Sequence, residues 1–289
     1  MAEERLDFLA SIRAPPGNIL DIGPLSFNYY GLMIALGVLA GVEVARRRWE
    51  ARGGEPDDVI RITMWVVPAG LIGARLYHVI TDWKSYTDDP LGVLEIWNGG
   101  LGIPGGLLAG GATAIWLARQ NTSDVSGFIA AVVPGVPVAQ AIGRVGNWFN
   151  QEIVGRPTDV PWGLEVDEQY RPSGYEEFTT FHPTFLYEGL LNLAIAGTLI
   201  LLDGKKKVKP GQILPLWIAL YGVARFAVES MRTDPASLIL DIRVNHWVSG
   251  AAVLVGGIWF ALLNRQAPDE EPPSTDEDSD LPELDHETS

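Results

Sequence analysis

Seven stretches, at about 27–45, 59–80, 101–118, 125–142, 183–202, 212–230 and 246–264, are apolar over lengths near the ~20 residues a helix needs to cross a bilayer. A helix at the surface of a water-soluble protein keeps a polar stripe at helical spacing. LLAGGATAIWLA (107–118) and GAAVLVGGIWFALL (250–263) have none. The chain is therefore expected to be all-α: a polytopic integral membrane protein with about seven transmembrane helices over 27–265. Mean hydropathy is positive, +0.13, although an acidic tail lowers it.

Basic residues near the span ends set the expected orientation. Arg46, Arg47, Arg48 and Arg52 follow the first span, Arg119 the third, Lys205, Lys206, Lys207 and Lys209 the fifth, and Arg265 the seventh. With seven crossings all of them lie on one side, expected to be cytoplasmic. The N-terminal segment 1–26 and the loops 81–100, 143–182 and 231–245 then face outward. The segment MAEERLDFLASIRAPPGNI has neither the basic start nor the short apolar core of a cleavable signal, so the first span is expected to remain as an anchor. Residues 266–289 hold ten acidic residues and no Lys or Arg, out of a formal net charge of −15. Such a Pro-rich acidic run is expected to be a disordered cytoplasmic tail.

Cysteine is absent, which excludes disulfides, thiolate metal sites and a cysteine nucleophile from this chain. No metal-ligand cluster, Gly-rich nucleotide loop or Ser/His/Asp triad is evident. No metal, cofactor or nucleic-acid partner is expected; the bilayer itself is.

Ionisable groups at membrane depth are functional candidates. In YGVARFAVESMR (221–232), Arg225, Glu229 and Arg232 fall at i, i+4 and i+7, so they share one helix face with Tyr221. The stretch GRVGNWFNQEIVGR (143–156) is denser still. Arg144 and Asn147 are neighbours on a helix beginning near Val138, and Asn150, Glu152 and Arg156 follow in a loop. Arginine offers a fork suited to phosphate, and Asn both donates and accepts. These residue types point to an anionic headgroup at the outer leaflet. HPTFLYEGLLN opens the fifth span with His182, Tyr187 and Glu188, and NYYGLM opens the first with Tyr29 and Tyr30.

GRVGNWFNQEIVGRPTDVPWG resembles the signature of the bacterial prolipoprotein diacylglyceryl transferases, a pattern close to G-R-x-G-N-F-x-N-x-E-x-x-G-R. NYYGLM, GARLYHV (73–79), WNGGLGIPGGLLAG (97–110), HPTFLYE and YGVARFAVESMR resemble further motifs of that family, in order, over about 20–264. The resemblance implies transfer of the diacylglyceryl group of phosphatidylglycerol to the lipobox cysteine of an exported preprolipoprotein. A thioether forms and glycerol 1-phosphate leaves. It implies a bacterial cytoplasmic-membrane enzyme with its site toward the outer leaflet. The family's two essential arginines fall on Arg144 and Arg225. Asn147, Glu152, Gly155, Tyr30, Gly105, Glu229 and Arg232 fall on other family positions, and His182, Tyr187 and Glu188 on weaker ones. Gly105 and Gly106 are expected to let the backbone approach the lipid.

Pro104 stands where many members carry a histidine considered a candidate base, and proline accepts no proton. High-GC Gram-positive members also lack that histidine. Glu152 and His78 are the remaining candidates for the base. Two rival readings are a transporter and an inactive lipid-binding scaffold. No inverted repeat supports the first, and retention of both arginines, Asn147 and Glu152 speaks against the second.

Overall fold

The computed structural model describes residues 11–87, 89–96 and 99–265. The expected disordered tail at 266–289, the first ten residues of the outward segment, and Trp97 and Asn98 lie outside the described residues.

A short hairpin, β1 (Ile19–Ile22) and β2 (Leu25–Asn28), leads into helix α1 (Tyr29–Glu50). The Asn28 side chain caps α1 by accepting from the Tyr30 N–H at 2.7 Å. There follow α2 (Pro56–Thr81), α3 (Ile103–Asn121), α4 (Val125–Val132) and α5 (Gly135–Phe149). The strands β3 (Leu164–Glu165) and β4 (Thr180–Phe181) pair in the following loop. Next come α6 (Thr184–Gly204), α7 (Ile213–Glu229), the pair β5 (Leu238–Ile239) and β6 (Ile242–Arg243), and α8 (Val244–Arg265). The helices are adjacent largely in chain order: α2 on α3, α1 on α5, α5 on α6, α6 on α7, α7 on α8.

Among the described residues six helical stretches are long and apolar enough to cross a membrane: α1, α2, α4 with α5, α6, 210–229 and α8. Large apolar side chains such as Leu39, Trp65, Ile72, Leu108 and Ile258 stand more than half exposed on their outer faces, as lipid-facing residues do. The expected third span is present as the 19-residue α3, but it is not one of the six. Gly105, Gly106, Gly110 and Gly111 replace larger apolar side chains in it.

Two further expectations are corrected. The fourth span does not end at 142. Pro134 interrupts the helical ladder, separating α4 from α5, and α5 then continues to Phe149. The following loop therefore begins after Phe149 and not at 143, while Arg144 and Asn147 are helical neighbours as expected, on a helix that starts at Gly135 instead of near Val138. The all-α expectation omitted three two-stranded antiparallel pairs. Strands of two to four residues are too short to register as period-two alternation.

Polar contacts define the two poles of the bundle. Arg48 and Arg52, near the end of α1, donate to Asp203 near the end of α6 at 2.6 and 2.5 Å. Arg61 near the start of α2 reaches Asn121 at the end of α3 (3.4 Å), and Gln212 before α7 reaches Asn264 in α8 (3.5 Å). The basic clusters thus gather at one pole. The opposite pole carries the hairpins and the loop 150–183, over a small core of Val154, Leu164, Val166 and Phe181.

Arg75, near the C-terminal end of α2, is buried. Its guanidinium donates to the carbonyls of Gly92, Val93, Gly99 and Gly100 at 2.5 to 3.0 Å and lies over the Tyr86 ring. An ionisable residue that reads as a functional candidate is here the clasp of the loop after α2. Arg75→Met is expected to lower amide hydrogen-exchange protection around Gly92, Val93, Gly99 and Gly100 at least ~10-fold, since each charged hydrogen bond contributes about 1.5–3 kcal/mol. Unchanged protection would show that the loop holds its shape without the clasp.

Candidate active site

Glu188 lies one turn into α6, on the face that packs against α5 and α7, and is 2 % exposed. A carboxylate this buried must be paired. Arg144 Nη2 from α5 donates to its Oε1 at 2.5 Å, and Arg225 Nη1 from α7 donates to its Oε2 at 3.2 Å. One carboxylate therefore joins the two arginines that the sequence singled out from segments 81 residues apart. Tyr221, one turn before Arg225, lies beside Arg144, Glu188 and Arg225.

A second buried carboxylate extends the network. Glu229 is fully buried at the end of α7. Arg225 Nη2 lies 2.9 Å from its Oε2, off-line for a hydrogen bond and so an ion pair, and Arg232 approaches the same oxygen at 3.5 Å. Its Oε1 accepts from Arg243 Nε at 2.6 Å and from Asn245 Nδ2 at 3.2 Å. Asp234 closes the outer edge: Arg232 holds it with both prongs, at 2.7 and 2.8 Å, and Arg243 adds 3.3 Å. Burial pushes the Asp234 carboxyl up, but the bonds from Arg232 and the charges of Arg232 and Arg243 outweigh it, so its pKa lies below the ordinary value. The contribution of this pair to stability is present above the ordinary carboxylate pKa of about 3.9 and is lost as pH falls through the lowered folded value.

From Arg144 the network also runs outward. Its Nη1 donates to Asn147 Oδ1 at 3.1 Å. Asn147 Nδ2 donates to Glu152 Oε1 at 2.7 Å, and Asn150 Nδ2 adds 3.3 Å. Glu152 sits between two residues with positive φ, Gln151 (50°) and Ile153 (58°). For the β-branched Ile153 this is a strained backbone, of order 1–3 kcal/mol. Local bonds hold it: the Ile153 carbonyl accepts from the Thr184 hydroxyl, and the buried Gln151 side chain exchanges two bonds with Asp167, at 2.6 and 2.8 Å.

The remaining residues fall in three places. Tyr30 packs on Gly146, between Arg144 and Asn147; a Cβ there would lie 2.7 Å from the tyrosine ring. Gly155 threads between two segments, its N–H bonded to the His182 carbonyl at 3.0 Å and its backbone bridged to Arg232. A Cβ on it would meet His182 Cβ at 2.7 Å, which explains the glycine. The neighbouring Arg156 ties the loop to the end of α7 through the Ser230 carbonyl at 3.1 Å. His182 and Tyr187 form a separate outer chain, with Tyr187 Oη 3.1 Å from His182 Nδ1 and accepting from Trp162 Nε1 at 2.9 Å. His78 lies by Asp82 (3.8 Å) and Tyr86, at the end of α2.

Gly105 is elsewhere, and the close approach expected of it is made to protein. A Cβ at Gly105 would lie 2.1 Å from the Gly73 carbonyl oxygen and 2.4 Å from Tyr77 Cβ. It is the contact point of α3 on α2, where only a missing side chain lets two helix backbones meet.

Sequence reasoning missed Arg243, Asp234 and Asn245 and ranked Glu188 low. RTD at 232–234 follows the sixth apolar run and RVN at 243–245 precedes the seventh, so charge beside a span was the available signal. It did not reveal that both fold back onto Glu229.

Four guanidiniums (Arg144, Arg225, Arg232, Arg243) share three carboxylates (Glu188, Glu229, Asp234). One positive charge is left over. Arg156 and Glu152, one of each sign, leave that balance unchanged. A monoanionic phosphodiester would complete it, and guanidinium forks suit such a group.

The prolipoprotein diacylglyceryl transferase family model matches residues 18–262. The chain is 44 % identical to a phosphatidylglycerol–prolipoprotein diacylglyceryl transferase of Corynebacterium efficiens, over 92 % of this chain and 87 % of that protein. It is 42 % identical to phosphatidylglycerol–prolipoprotein diacylglyceryl transferase 2 of Streptomyces coelicolor, over 86 % and 80 %. It is 40 % identical to a relative of the same name in Rhodococcus jostii, over 92 % and 79 %. The motifs that suggested the family thus sit within a likeness running nearly the whole length of the bundle, and this chain belongs to the prolipoprotein diacylglyceryl transferase family.

Proposed function

We propose that this protein transfers the diacylglyceryl group of phosphatidylglycerol to the lipobox cysteine of preprolipoproteins, the first step of lipoprotein maturation. The observation that carries this reading is the pair of arginines converging on one buried carboxylate with a positive charge to spare. The chain works in the bacterial cytoplasmic membrane. It crosses seven times, with α3 as the third crossing, the N-terminus outward and the basic pole and C-terminus cytoplasmic. The arginine network then lies toward the outer leaflet, where exported substrates emerge.

The thiol sulfur attacks the glyceryl carbon bonded to the phosphate oxygen. The S–C bond forms, the C–O bond breaks, and the phosphate oxygen keeps the electron pair. Glycerol 1-phosphate leaves as a monoester, and the thiol proton passes to a base or to the leaving group. Charge builds on the phosphate, so Arg144 and Arg225, aimed there before the reaction, lower the barrier. Tyr30 and Asn147 flank the same headgroup, Glu229 and Arg232 fix Arg225 from behind, and Gly155 lets the outer loop close over the end of α7. A free thiol of pKa ~8.5 is mostly protonated at neutral pH. With Pro104 in the third-span motif, Glu152 is the carboxylate nearest to Arg144 on its outward side and takes the role of base. His182 and Tyr187 shape the outer rim, and Glu188 holds the two arginines together. The reading needs no metal or cofactor.

The test is transfer in vitro. Purified protein, phosphatidylglycerol with a labelled acyl chain and a one-cysteine lipobox peptide are mixed, and the peptide mass is followed. A gain of one diacylglyceryl group is expected, absent with a Cys→Ser peptide. No gain with the lipid still bound would favour the inactive scaffold. Neither transfer nor binding would reopen the transporter reading.

A further inference from the structure

Each of the three helices that meet at Glu188 carries an uncharged polar side chain four residues from its charged one. Gln140 precedes Arg144 in α5, Asn192 follows Glu188 in α6, and Tyr221 precedes Arg225 in α7. Helices α5 and α7 run toward the outer pole and α6 runs away from it. All three steps therefore point the same way, about 6 Å deeper at 1.5 Å per residue. A second polar layer lies under the charged one.

This layer is unsatisfied. Asn192 is 1 % exposed, and neither its Oδ1 nor its Nδ2 has a hydrogen-bond partner. Gln140 Oε1 is buried without a partner, and so is the Nε1–H of Trp217, which stacks on Tyr221 with ring centroids 6.0 Å apart. Buried polar groups are almost always bonded, so orphans concentrated on adjoining helix faces call for a guest. Deeper still, the faces turn apolar, with Ile195, Leu199 and Ile213 in one cluster, against which Trp217 packs. The layer thus has a charged roof and an apolar floor. Its open valences are two acceptors, Gln140 Oε1 and Asn192 Oδ1, and two donors, Asn192 Nδ2 and, one turn further down at the floor, Trp217 Nε1. Two hydroxyl groups offer the complement, one donor and one acceptor each.

Resting on the transferase reading, we propose that this layer is the subsite for the uncharged vicinal diol of a glycerol phosphate ester, with Asn192 as its specificity-determining residue. The ester is the phosphatidylglycerol headgroup before transfer and glycerol 1-phosphate after it. A three-carbon glycerol spans roughly 5 Å with C–C bonds of about 1.5 Å. With the phosphate on Arg144 and Arg225, its hydroxyls reach one helical turn down. Every polar group in the layer is neutral, which suits a diol and offers no counter-charge to an ammonium headgroup.

The test compares two lipids of equal charge, phosphatidylglycerol and phosphatidylethanol, which lacks the diol. Their binding to the full-length protein in detergent is measured by native mass spectrometry, for the wild type, Asn192→Leu and Gln140→Leu. A parallel competition uses glycerol 1-phosphate and ethyl phosphate to separate the lipid from the product. The wild type is expected to prefer the diol-bearing member at least ~10-fold, the worth of one or two neutral hydrogen bonds. Asn192→Leu is expected to reduce the preference to about 2-fold or less, with phosphatidylethanol binding unchanged. Gln140→Leu reduces it part of the way and keeps the test open should Asn192→Leu not fold. A diol preference of the soluble pair alone would assign the layer to the product and overturn its role in lipid selection. Equal losses on both lipids, or a preference that survives both variants, would overturn the subsite altogether. Binding is read without transfer, so an inactive wild type that still discriminates the diol would sink the transferase reading and leave the subsite standing.

Discussion

Arg225→Ala is expected to lower diacylglyceryl transfer by about 10²–10³, the usual loss when one preorganised contact to a developing charge is removed. It is expected to do so without unfolding the protein. Each carboxylate that Arg225 touches keeps another arginine: Glu188 keeps Arg144 at 2.5 Å, and Glu229 keeps Arg243 at 2.6 Å. No buried charge is orphaned. The measurement is the initial rate of peptide lipidation beside a thermal melt in the same detergent. A rate within a few-fold of wild type would remove Arg225 from the mechanism. A collapsed melt would show that its role is structural.

Glu188→Ala is expected to give the opposite balance, with stability as its largest loss. Glu188 is the sole carboxylate paired with Arg144 and one of two paired with Arg225 among the described residues. Removing it leaves two guanidiniums facing each other in a site where their side chains are only 21 % and 14 % exposed. Breaking a buried pair from one side typically costs about 3–5 kcal/mol. Added phosphatidylglycerol is expected to raise the melting temperature of this variant more than that of wild type, because a lipid that binds only the folded state stabilises it by mass action and here also replaces the missing anion. The same increment in both proteins would mean that the phosphate does not sit between Arg144 and Arg225.

These two arginines were legible because charge is rare inside apolar runs. Any guanidinium at membrane depth stands out against its neighbours, and the spacing 225–229–232 alone places three charges on one face. Their acidic partner was not legible in the same degree. Glu188 lies early in α6 and reads as an ordinary polar residue near a helix start; its importance comes from what α5 and α7 bring to it. Arg75 is the converse case. It carries the same intramembrane signal as Arg144, but the carbonyls of Gly92, Val93, Gly99 and Gly100 take up its donors. Gly105 is similar: a glycine reports that something comes close, without saying what.

By itself the sequence determined that the chain is a membrane bundle, that its basic ends alternate and that an arginine-rich polar motif belongs to a lipid-modifying family, because hydrophobic length, charge rarity and ordered motifs are local properties of the chain. Only the tertiary structure decided which charges share a partner, that Arg243 and Asp234 return to Glu229, that α3 packs on α2 through Gly73 and Gly105, and that a neutral layer lies unsatisfied beneath the arginines. Ion pairing and burial depend on distances between segments up to 155 residues apart, as for Arg48 and Asp203, and those distances exist only once the helices have packed.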